Sequence, residues 1–361
     1  MKTLSQNSRA AFTLVELLVV IAIIALLMSI LLPSLGNARR TARTVACAAN
    51  LRQIDEGMRT YAQEYNDAIL GNVYTSGAAI AMTPPGGRIF NNNYCPNLCQ
   101  VWDWASPVAM EDGISFNKGA DILSRAARFD FLCRFKGFLC PENDILSGPY
   151  PGGSVQSLYS SGNPKLFTPM LSYNTASMFQ YVYNVFSPPP GYQTAISNFP
   201  FGQGYINTGN YKQKISMVGN PSCKIFIADG GRWCNTDTSP PDYQLDFDGS
   251  GSSPGGHYAD YGPWSAYTRA YGHDNYGGNG TKPITYSMRH GSRNPNAPIG
   301  SYRFNAAFFD GHVETLNGKQ GLNPHLWIPS NSTLPTSECT QDAVSAYFHG
   351  TSNLLINDNP P

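Results

Sequence analysis

The chain has 361 residues, equal numbers of acidic and basic side chains, and a charged fraction of only 13%. This length allows one large domain or two smaller ones, each with a buried core. Because the net charge is zero, we expect no basic face that would neutralise the phosphates of a nucleic acid. We therefore expect no nucleic-acid partner. The abundant Gly, Pro and Tyr residues predict many turns and a polar aromatic surface, which favours a protein exposed outside the cytoplasm.

An apolar run at residues 12–32 is the strongest signal in the chain. It is long enough to cross the hydrocarbon core of a bilayer as a helix. Its one charge, Glu16, would cost about 2.5–3.5 kcal/mol inside a membrane, so this carboxylate needs a partner or a function. A simpler alternative is a plain signal anchor in which Glu16 reaches the near headgroups. No Ala-x-Ala cleavage site of the ordinary secretory kind follows the run before Pro33.

A small residue, Ala11, comes directly before Phe-Thr-Leu-Val-Glu-Leu at residues 12–17. This order resembles the class III signal of type IV prepilins and type II secretion pseudopilins, although that family usually has Gly where this chain has Ala11. The resemblance implies that residues 1–11 are a leader, that prepilin peptidase cleaves between Ala11 and Phe12, and that Phe12 is then N-methylated. It also implies that Glu16, the fifth mature residue, pairs with the terminal amine of a neighbouring subunit, and that Pro33 lies where pilin-like helices often carry proline.

Basic residues flank the apolar run on both sides, with Lys2 and Arg9 before it and Arg39, Arg40 and Arg43 after it, so charge alone does not orient the span. The resemblance implies a single pass through the bacterial inner membrane with a cytoplasmic N-terminus. The C-terminal domain would then be periplasmic or on the cell surface.

From residue 34 to residue 66 the sequence becomes amphipathic. Apolar side chains recur at spacings of three and four, which predicts one helix over residues 12–66 whose second half packs on a globular domain. Pro33 would bend this helix and Gly57 would weaken it. The predicted buried face consists of Cys47, Leu51, Ile54, Met58, Tyr61 and Tyr65.

Residues 67–361 predict a globular β-rich domain, because short β-prone runs alternate there with Gly, Pro and Asn clusters. The fold class is therefore α+β and pilin-like: a long N-terminal helix packed on an antiparallel β-sheet with long loops. A second helix is predicted at 119–135, and a Gly-rich and Pro-rich loop excursion at about 236–282 is expected to lie outside the core. The predicted strands are 172–185, 224–228, 284–288, 304–309 and 312–316.

The eight cysteines predict disulfides in an oxidising compartment, and sequence alone does not choose among about 105 pairings. Cys95 and Cys99 have the spacing of half a zinc site, but no second pair with suitable spacing follows. We therefore expect no zinc site at these two cysteines.

The C-terminal third contains Ser-Met-Arg-His-Gly-Ser at 287–292 and an Asp-Gly pair in the middle of 304–316. Asp-Gly between two alternating runs predicts a β-hairpin. The region 287–316 also resembles the C-terminal signature of a large prepilin-like bacterial family, in which an Arg-His is followed after nine residues by Asp-Gly. Here nineteen residues separate the two pairs. The residues that match this signature include Arg289, His290, Asn305, Asp310 and Gly311.

A catalytic or metal-binding role for His290, Asp310 and His312 is the alternative interpretation, because a histidine beside a carboxylate can act as a base or bind an ion. An Asp-Gly turn next to a histidine is more often structural, and we expect no enzymatic activity.

A calcium site is the one cofactor that the sequence suggests. Asp246, Asp248 and Ser250 place oxygen donors at alternate positions, as in a calcium-binding loop, but His257 stands where a closing Glu would be expected. Asp242 or Asp260 would have to replace that Glu.

These features together predict a non-enzymatic, membrane-anchored, pilin-like subunit. Its partners would be the membrane, prepilin peptidase, and other pilin-like subunits or the platform of a type II secretion or type IV pilus-like assembly. The alternative is a tethered module whose Tyr-rich domain binds polysaccharide or another envelope component.

Overall fold

A computed structural model describes residues 13–70, 104–116, 131–143, 146–147, 168–169, 171–180, 195–197, 205–209, 211–231, 234–235, 242–243, 259–266, 268, 271 and 287–358. For several of the short strands only the backbone is described. The helices are α1 (Leu14–Glu64), α2 (Ala105–Glu111), α3 (Gly318–Gly321) and α4 (Gln341–Tyr347). The strands are β1 (Leu146–Ser147), β2 (Thr168–Pro169), β3 (Tyr173–Ala176), β4 (Ala195–Ser197), β5 (Tyr205–Asn207), β6 (Ile225–Asp229), β7 (Cys234–Asn235), β8 (Asp242–Tyr243), β9 (Ala259–Asp260), β10 (Arg303–Phe308), β11 (Val313–Asn317), β12 (Thr333–Pro335) and β13 (Asn353–Leu355).

The long N-terminal helix is confirmed as α1, a single element of 51 residues that continues through Pro33. Its ends agree with the predicted 12–66 to within two residues, which is the usual uncertainty of helix boundaries. The chain divides into two compact units, Met1–Arg43 and Thr44–Pro361, so the boundary between them falls inside α1.

The part of α1 in the first unit has exposed side chains throughout. Its large apolar residues include Leu14 at 81% exposure and Leu32 at 69%. By length and composition this helix is apolar enough to cross a membrane, and none of its most apolar stretch is buried within the protein. Leucine and isoleucine side chains on every side of a helix suit lipid or neighbouring helices better than water.

The part of α1 in the second unit belongs to the hydrophobic core. The predicted face is confirmed for Cys47, Leu51, Ile54, Met58 and Tyr61, all of which are buried. It was wrong for Tyr65, which is 48% exposed and stacks on Tyr61 with 4.2 Å between ring centroids. The reason is that α1 ends at Glu64 and the chain turns away at Asn66 and Asp67, both of which have positive φ.

Gly57 has a packing role in addition to its low helix propensity. A Cβ atom at this position would lie 2.9 Å from Cγ1 of Val108 on α2. The absence of a side chain therefore allows α2 to approach α1 closely.

The central sheet has five strands in the order β11-β10-β6-β3-β9. The pairs β10–β11, β10–β6 and β3–β6 are antiparallel, as expected, whereas the edge strand β9 runs parallel to β3. All five residues of β6 are buried, which agrees with its Ile-Phe-Ile-Ala sequence and its central position. The sheet is therefore mixed, and β6 brings Asp229 into the core at its C-terminal end.

A four-stranded antiparallel sheet in the order β13-β12-β5-β4 and the small pairs β1–β2 and β7–β8 complete the described sheets. Ile206 on β5 and Leu334 on β12 are buried in the core. The short helices α3 and α4 begin at side-chain caps from Asn317 and Thr340, which accept hydrogen bonds from their first-turn amides.

The loop excursion predicted at about 236–282 was wrong in part. Ala259 and Asp260 form β9, and Tyr261, Trp264 and Tyr271 are buried in the core. The prediction rested on the average composition of the whole stretch and gave no weight to these bulky aromatic residues. They bury enough apolar surface to hold their segment in the core despite the surrounding glycines.

Two other predictions are only partly within the described residues. Residues 131–134 are helical, in agreement with the end of the predicted helix at 119–135. The strand predicted at 284–288 was wrong for Ser287 and Met288, which are not in a strand. Both side chains are buried, and the following residue, Arg289, makes an isolated bridge to Arg303.

Candidate functional site

Three charged or ionisable side chains meet inside the second unit: Asp229, Arg289 and His290, which we call the buried polar centre. Nε2 of His290 lies 2.9 Å from Oδ2 of Asp229, and Nη1 of Arg289 lies 3.5 Å from Oδ1 of the same carboxylate. Each of these side chains is at most 3% exposed. The backbone amide of Asn305 donates to Oδ2 of Asp229 at 2.7 Å. One buried carboxylate thus joins the end of β6 to the residues before and within β10.

Backbone contacts explain how Arg289 and His290 are placed. The amide of His290 donates to the carbonyl of Arg303 at 3.2 Å, which fixes this segment against β10. The Arg289 guanidinium donates to the carbonyls of Ser172, at 2.9 Å, and Gly230. Arg289 therefore provides hydrogen-bond donors for carbonyl groups beside β3 and β6, and its positive charge balances the negative charge of Asp229.

The other ring nitrogen of His290 faces α1 and the segment after Cys140. Its Nδ1 lies 3.2 Å from Oγ1 of Thr44 and 3.8 Å from Oε2 of Glu142. Asn305 also donates through Nδ2 to the carbonyl of Thr44 at 3.2 Å. Sequence reasoning singled out His290 and Asn305 but missed Asp229, Thr44 and Glu142. The Asp-Gly that ends β6 was the available signal for Asp229.

A disulfide between Cys47 and Cys140 lies beside the buried polar centre, with 4.9 Å between the Cα atoms. Sγ of Cys140 is 3.7 Å from Nε2 of His290. This confirms that the chain forms a disulfide, here between α1 and a residue 93 positions later. Cys95 and Cys99 lie outside the described residues.

Two tyrosines near Asp229 have raised pKa values. Burial raises the pKa of Tyr173, and the charge of Asp229 raises it further. Burial likewise raises the pKa of Tyr271, whose hydroxyl donates to the backbone carbonyl of Asp229. Both phenols therefore remain protonated at neutral pH and act as hydrogen-bonding groups of the core.

The predicted hairpin is confirmed: β10 and β11 are antiparallel, with Ala307 opposite Val313. Nδ1 of His312 lies 2.6 Å from Oδ1 of Asp310 at the exposed tip, and His312 stacks on Phe308. Gly311 has φ +96°, and a Cβ atom there would lie 2.5 Å from Nη2 of Arg59 on α1.

The hypothesis that His290, Asp310 and His312 form one site is not supported by these contacts. His290 pairs with Asp229 in the core, whereas Asp310 pairs with His312 at the hairpin tip. Arg59 joins this tip to α1, since it donates to the carbonyl of Asp310 at 3.3 Å and pairs with the buried Asp55 at 3.0 Å. The two histidines thus belong to separate clusters.

Glu16 forms a reciprocal cap at the start of α1. Its Oε2 accepts hydrogen bonds from the backbone amide and the hydroxyl of Thr13, at 2.9 and 2.8 Å, and its own amide donates to Oγ1 of Thr13 at 3.2 Å. This is a capping box, in which the N-cap side chain and the third helical residue satisfy each other's amides. Sequence reasoning missed Thr13, although Ser/Thr-x-x-Glu before an apolar run is the known signal for it.

Several predicted site residues are not placed by the structure. The processing site at Ala11 and Phe12 and the candidate calcium ligands Asp246, Asp248 and Ser250 lie outside the described residues. Asp260, a proposed substitute ligand, is buried, and its Oδ1 accepts hydrogen bonds from the amide of Gly262 and the hydroxyl of Thr268.

Comparison with known proteins gives a match at the N-terminus of the chain. A family model described as a prokaryotic N-terminal methylation motif matches residues 6–32. No curated protein and no solved structure matches the chain. The matched residues cover Ala11, Phe12, the capping box and the whole apolar run at residues 12–32. This chain therefore has a type IV pilin-like N-terminus, followed by a helix that fits a membrane-anchored protein.

Proposed function

We propose that this protein is a non-enzymatic, pilin-like subunit that prepilin peptidase processes between Ala11 and Phe12 and that assembles through α1. The observation that carries the proposal is the division of α1. The large apolar side chains of its first part are exposed, whereas its second part is held in the globular unit by a disulfide and by buried apolar side chains. A helix built in this way can supply lateral packing in a pseudopilus or type IV pilus-like assembly and carry a large domain with it.

The matched methylation motif supports processing and N-methylation of Phe12. We further propose that the N-terminus faces the cytoplasm and that the globular unit is periplasmic or on the cell surface. The disulfide supports an oxidising compartment for that unit. The buried positions of Asp229 and His290 support a structural role for them rather than catalysis.

The processing step is tested by mass analysis of the N-terminus of protein extracted from membranes. A chain that begins at methylated Phe12 is expected. An intact Met1 would leave only a signal anchor, in which case the alternative of a tethered polysaccharide-binding module would be preferred.

The capping box permits a sharp test of Glu16 in assembly. Gln at the third helical position can still accept the Thr13 hydrogen bonds, but it has no charge with which to pair a neighbouring terminal amine. We expect Glu16→Gln and Glu16→Ala to leave the protein in the membrane and to prevent its incorporation into assemblies, measured by shearing and cross-linking of whole cells.

The matched control is Glu56→Ala, which removes an exposed glutamate from the second part of the same helix and should leave assembly unchanged. If Glu16→Gln assembled normally while Glu16→Ala did not, the capping role alone would explain Glu16, and pairing with the amine would be ruled out.

A further inference from the structure

The disulfide and the buried polar centre together contain four groups that bind transition metals. Sγ of Cys47, Sγ of Cys140, a carboxylate oxygen of Asp229 and a ring nitrogen of His290 all lie within 4.8 Å of one another. Once the disulfide is reduced, these groups become two soft thiolates, an imidazole and a carboxylate, the ligand types that zinc takes in four-coordinate sites. The geometry points to a site that can exist in two covalent states.

We propose that the reduced protein binds one Zn²⁺ ion through Cys47, Cys140, Asp229 and His290, and that the disulfide replaces this ion when the thiols are oxidised. The proposal concerns the second unit alone and does not depend on whether the protein assembles into a filament.

The distances between the ligand atoms fit this exchange. Ligand atoms at about 2.0–2.3 Å from one zinc ion lie roughly 3–4 Å from each other. The pairs Cys140 Sγ–His290 Nε2, at 3.7 Å, and His290 Nε2–Asp229 Oδ2, at 2.9 Å, are already close to that range. The two sulfur atoms, 1.99 Å apart in the disulfide, separate when the S–S bond is broken. Because all four ligand atoms lie within 4.8 Å of one another, small side-chain rotations then bring them around one ion.

The surroundings also complete the requirements of a zinc site. Nδ1 of His290 faces Oγ1 of Thr44 and Oε2 of Glu142, so the ring can donate its proton there while Nε2 binds the metal. The Asn305 amide and Arg289 hold the Asp229 carboxylate in place. Outer contacts of this kind orient the ligands of known zinc sites.

Charge is balanced in both states. In the oxidised state Arg289 offsets Asp229. In the zinc state two thiolates and the Asp229 carboxylate are offset by Zn²⁺ and Arg289. Because a buried uncompensated charge is costly, this balance permits either state inside the core.

The chemistry of the exchange is explicit. A phosphine reductant and one water molecule convert the disulfide into two thiols, and the phosphine is oxidised to its oxide. Zn²⁺ then forms two Zn–S bonds and releases the two thiol protons to solvent. In a cell, thiols that have not yet been oxidised would need no reductant.

The test uses the full chain in detergent, with Co²⁺ as a spectroscopic substitute for zinc. In the phosphine-reduced protein we expect thiolate-to-cobalt charge transfer and the intense d–d bands of a tetrahedral site, and Zn²⁺ should displace them. His290→Gln should weaken this binding at least tenfold, since loss of even an outer contact costs ten- to a hundredfold. The matched control, His312→Gln, alters the other histidine–aspartate pair and should bind like the wild type.

Equal cobalt binding by the wild type and His290→Gln, or no thiolate-to-cobalt signal in the reduced wild type, would overturn the proposal. A second measurement needs no variant: Zn²⁺ should slow alkylation of Cys47 and Cys140 in the reduced wild type at least tenfold, as read by peptide mass analysis. Equal alkylation rates with and without Zn²⁺ would also overturn it.

Discussion

Lys224, the residue directly before β6, places an ammonium group in the core. It is fully buried, and its Nζ donates to the carbonyls of His325, at 2.8 Å, and Asn357, at 3.2 Å. Burial lowers the pKa of Lys224 from 10.5 to about 8, and the nearby Asp358 opposes this shift. The unfolded chain therefore binds more protons than the folded protein between pH 8 and pH 10.5, and the contribution of Lys224 to stability rises with pH in that window.

We expect the free-energy difference between the wild type and Lys224→Met to increase in favour of the wild type by on the order of 2 kcal/mol from pH 8 to pH 10. Denaturant unfolding at the two pH values measures it. Lys212→Met, which changes an exposed lysine, is the control and should show no such dependence. Parallel behaviour of the wild type and Lys224→Met would contradict a lowered pKa.

The helix α1 is joined to the rest of the fold by three kinds of contact. Its buried face packs in the core, the Cys47–Cys140 disulfide crosses to the segment before β1, and Arg59 reaches the β10–β11 hairpin. The disulfide closes a long loop, so it removes much conformational entropy from the unfolded chain.

Replacing both Cys47 and Cys140 with Ala should lower the free energy of unfolding by about 4 kcal/mol, given their sequence separation of 93. Denaturant unfolding of the detergent-solubilised proteins measures this loss. Cys223→Ala, which removes a partly exposed thiol, should change stability by less than about 0.5 kcal/mol. A loss below about 1 kcal/mol in the double variant would mean that packing alone holds the helix.

Local patterns were sufficient to predict α1, β6 and the β10–β11 hairpin, because each depends on periodicity or turn chemistry within a few residues. They were not sufficient for the buried polar centre. The pairing of Asp229 with His290 joins positions far apart in the chain, and no local pattern specifies such a contact. Trp264 shows the same limit, since its burial depends on partners such as the segment at Cys339 and Thr340 and not on its Gly-rich neighbours.

The division within α1 determines where the chain can be truncated without loss of its core. The second unit begins at Thr44, well before the end of the helix. Its core includes Leu51, Ile54 and Met58, each of which would cost about 2–5 kcal/mol if truncated to Ala. A fragment must therefore keep the second part of α1 to fold.

We expect a fragment of residues 40–361 to remain in solution without detergent and to form the Cys47–Cys140 disulfide. A fragment of residues 67–361, which lacks the buried face of α1, should aggregate. Sedimentation and mass mapping of the disulfide compare the two. Folding of the shorter fragment to a stable monomer would show that α1 is dispensable for the core.

The covalent bond at Cys47 also has a mechanical consequence. A pull on the N-terminal part of α1 travels along the helix backbone until it reaches Cys47, and from there the disulfide carries load directly to Cys140, close to the central sheet. While the disulfide is intact, stretching the 92 residues between Cys47 and Cys140 cannot pull their two sulfur atoms apart. An oxidised subunit would thus resist having its helix drawn out of the globular unit under tension, whereas a reduced one would rely on non-covalent contacts alone.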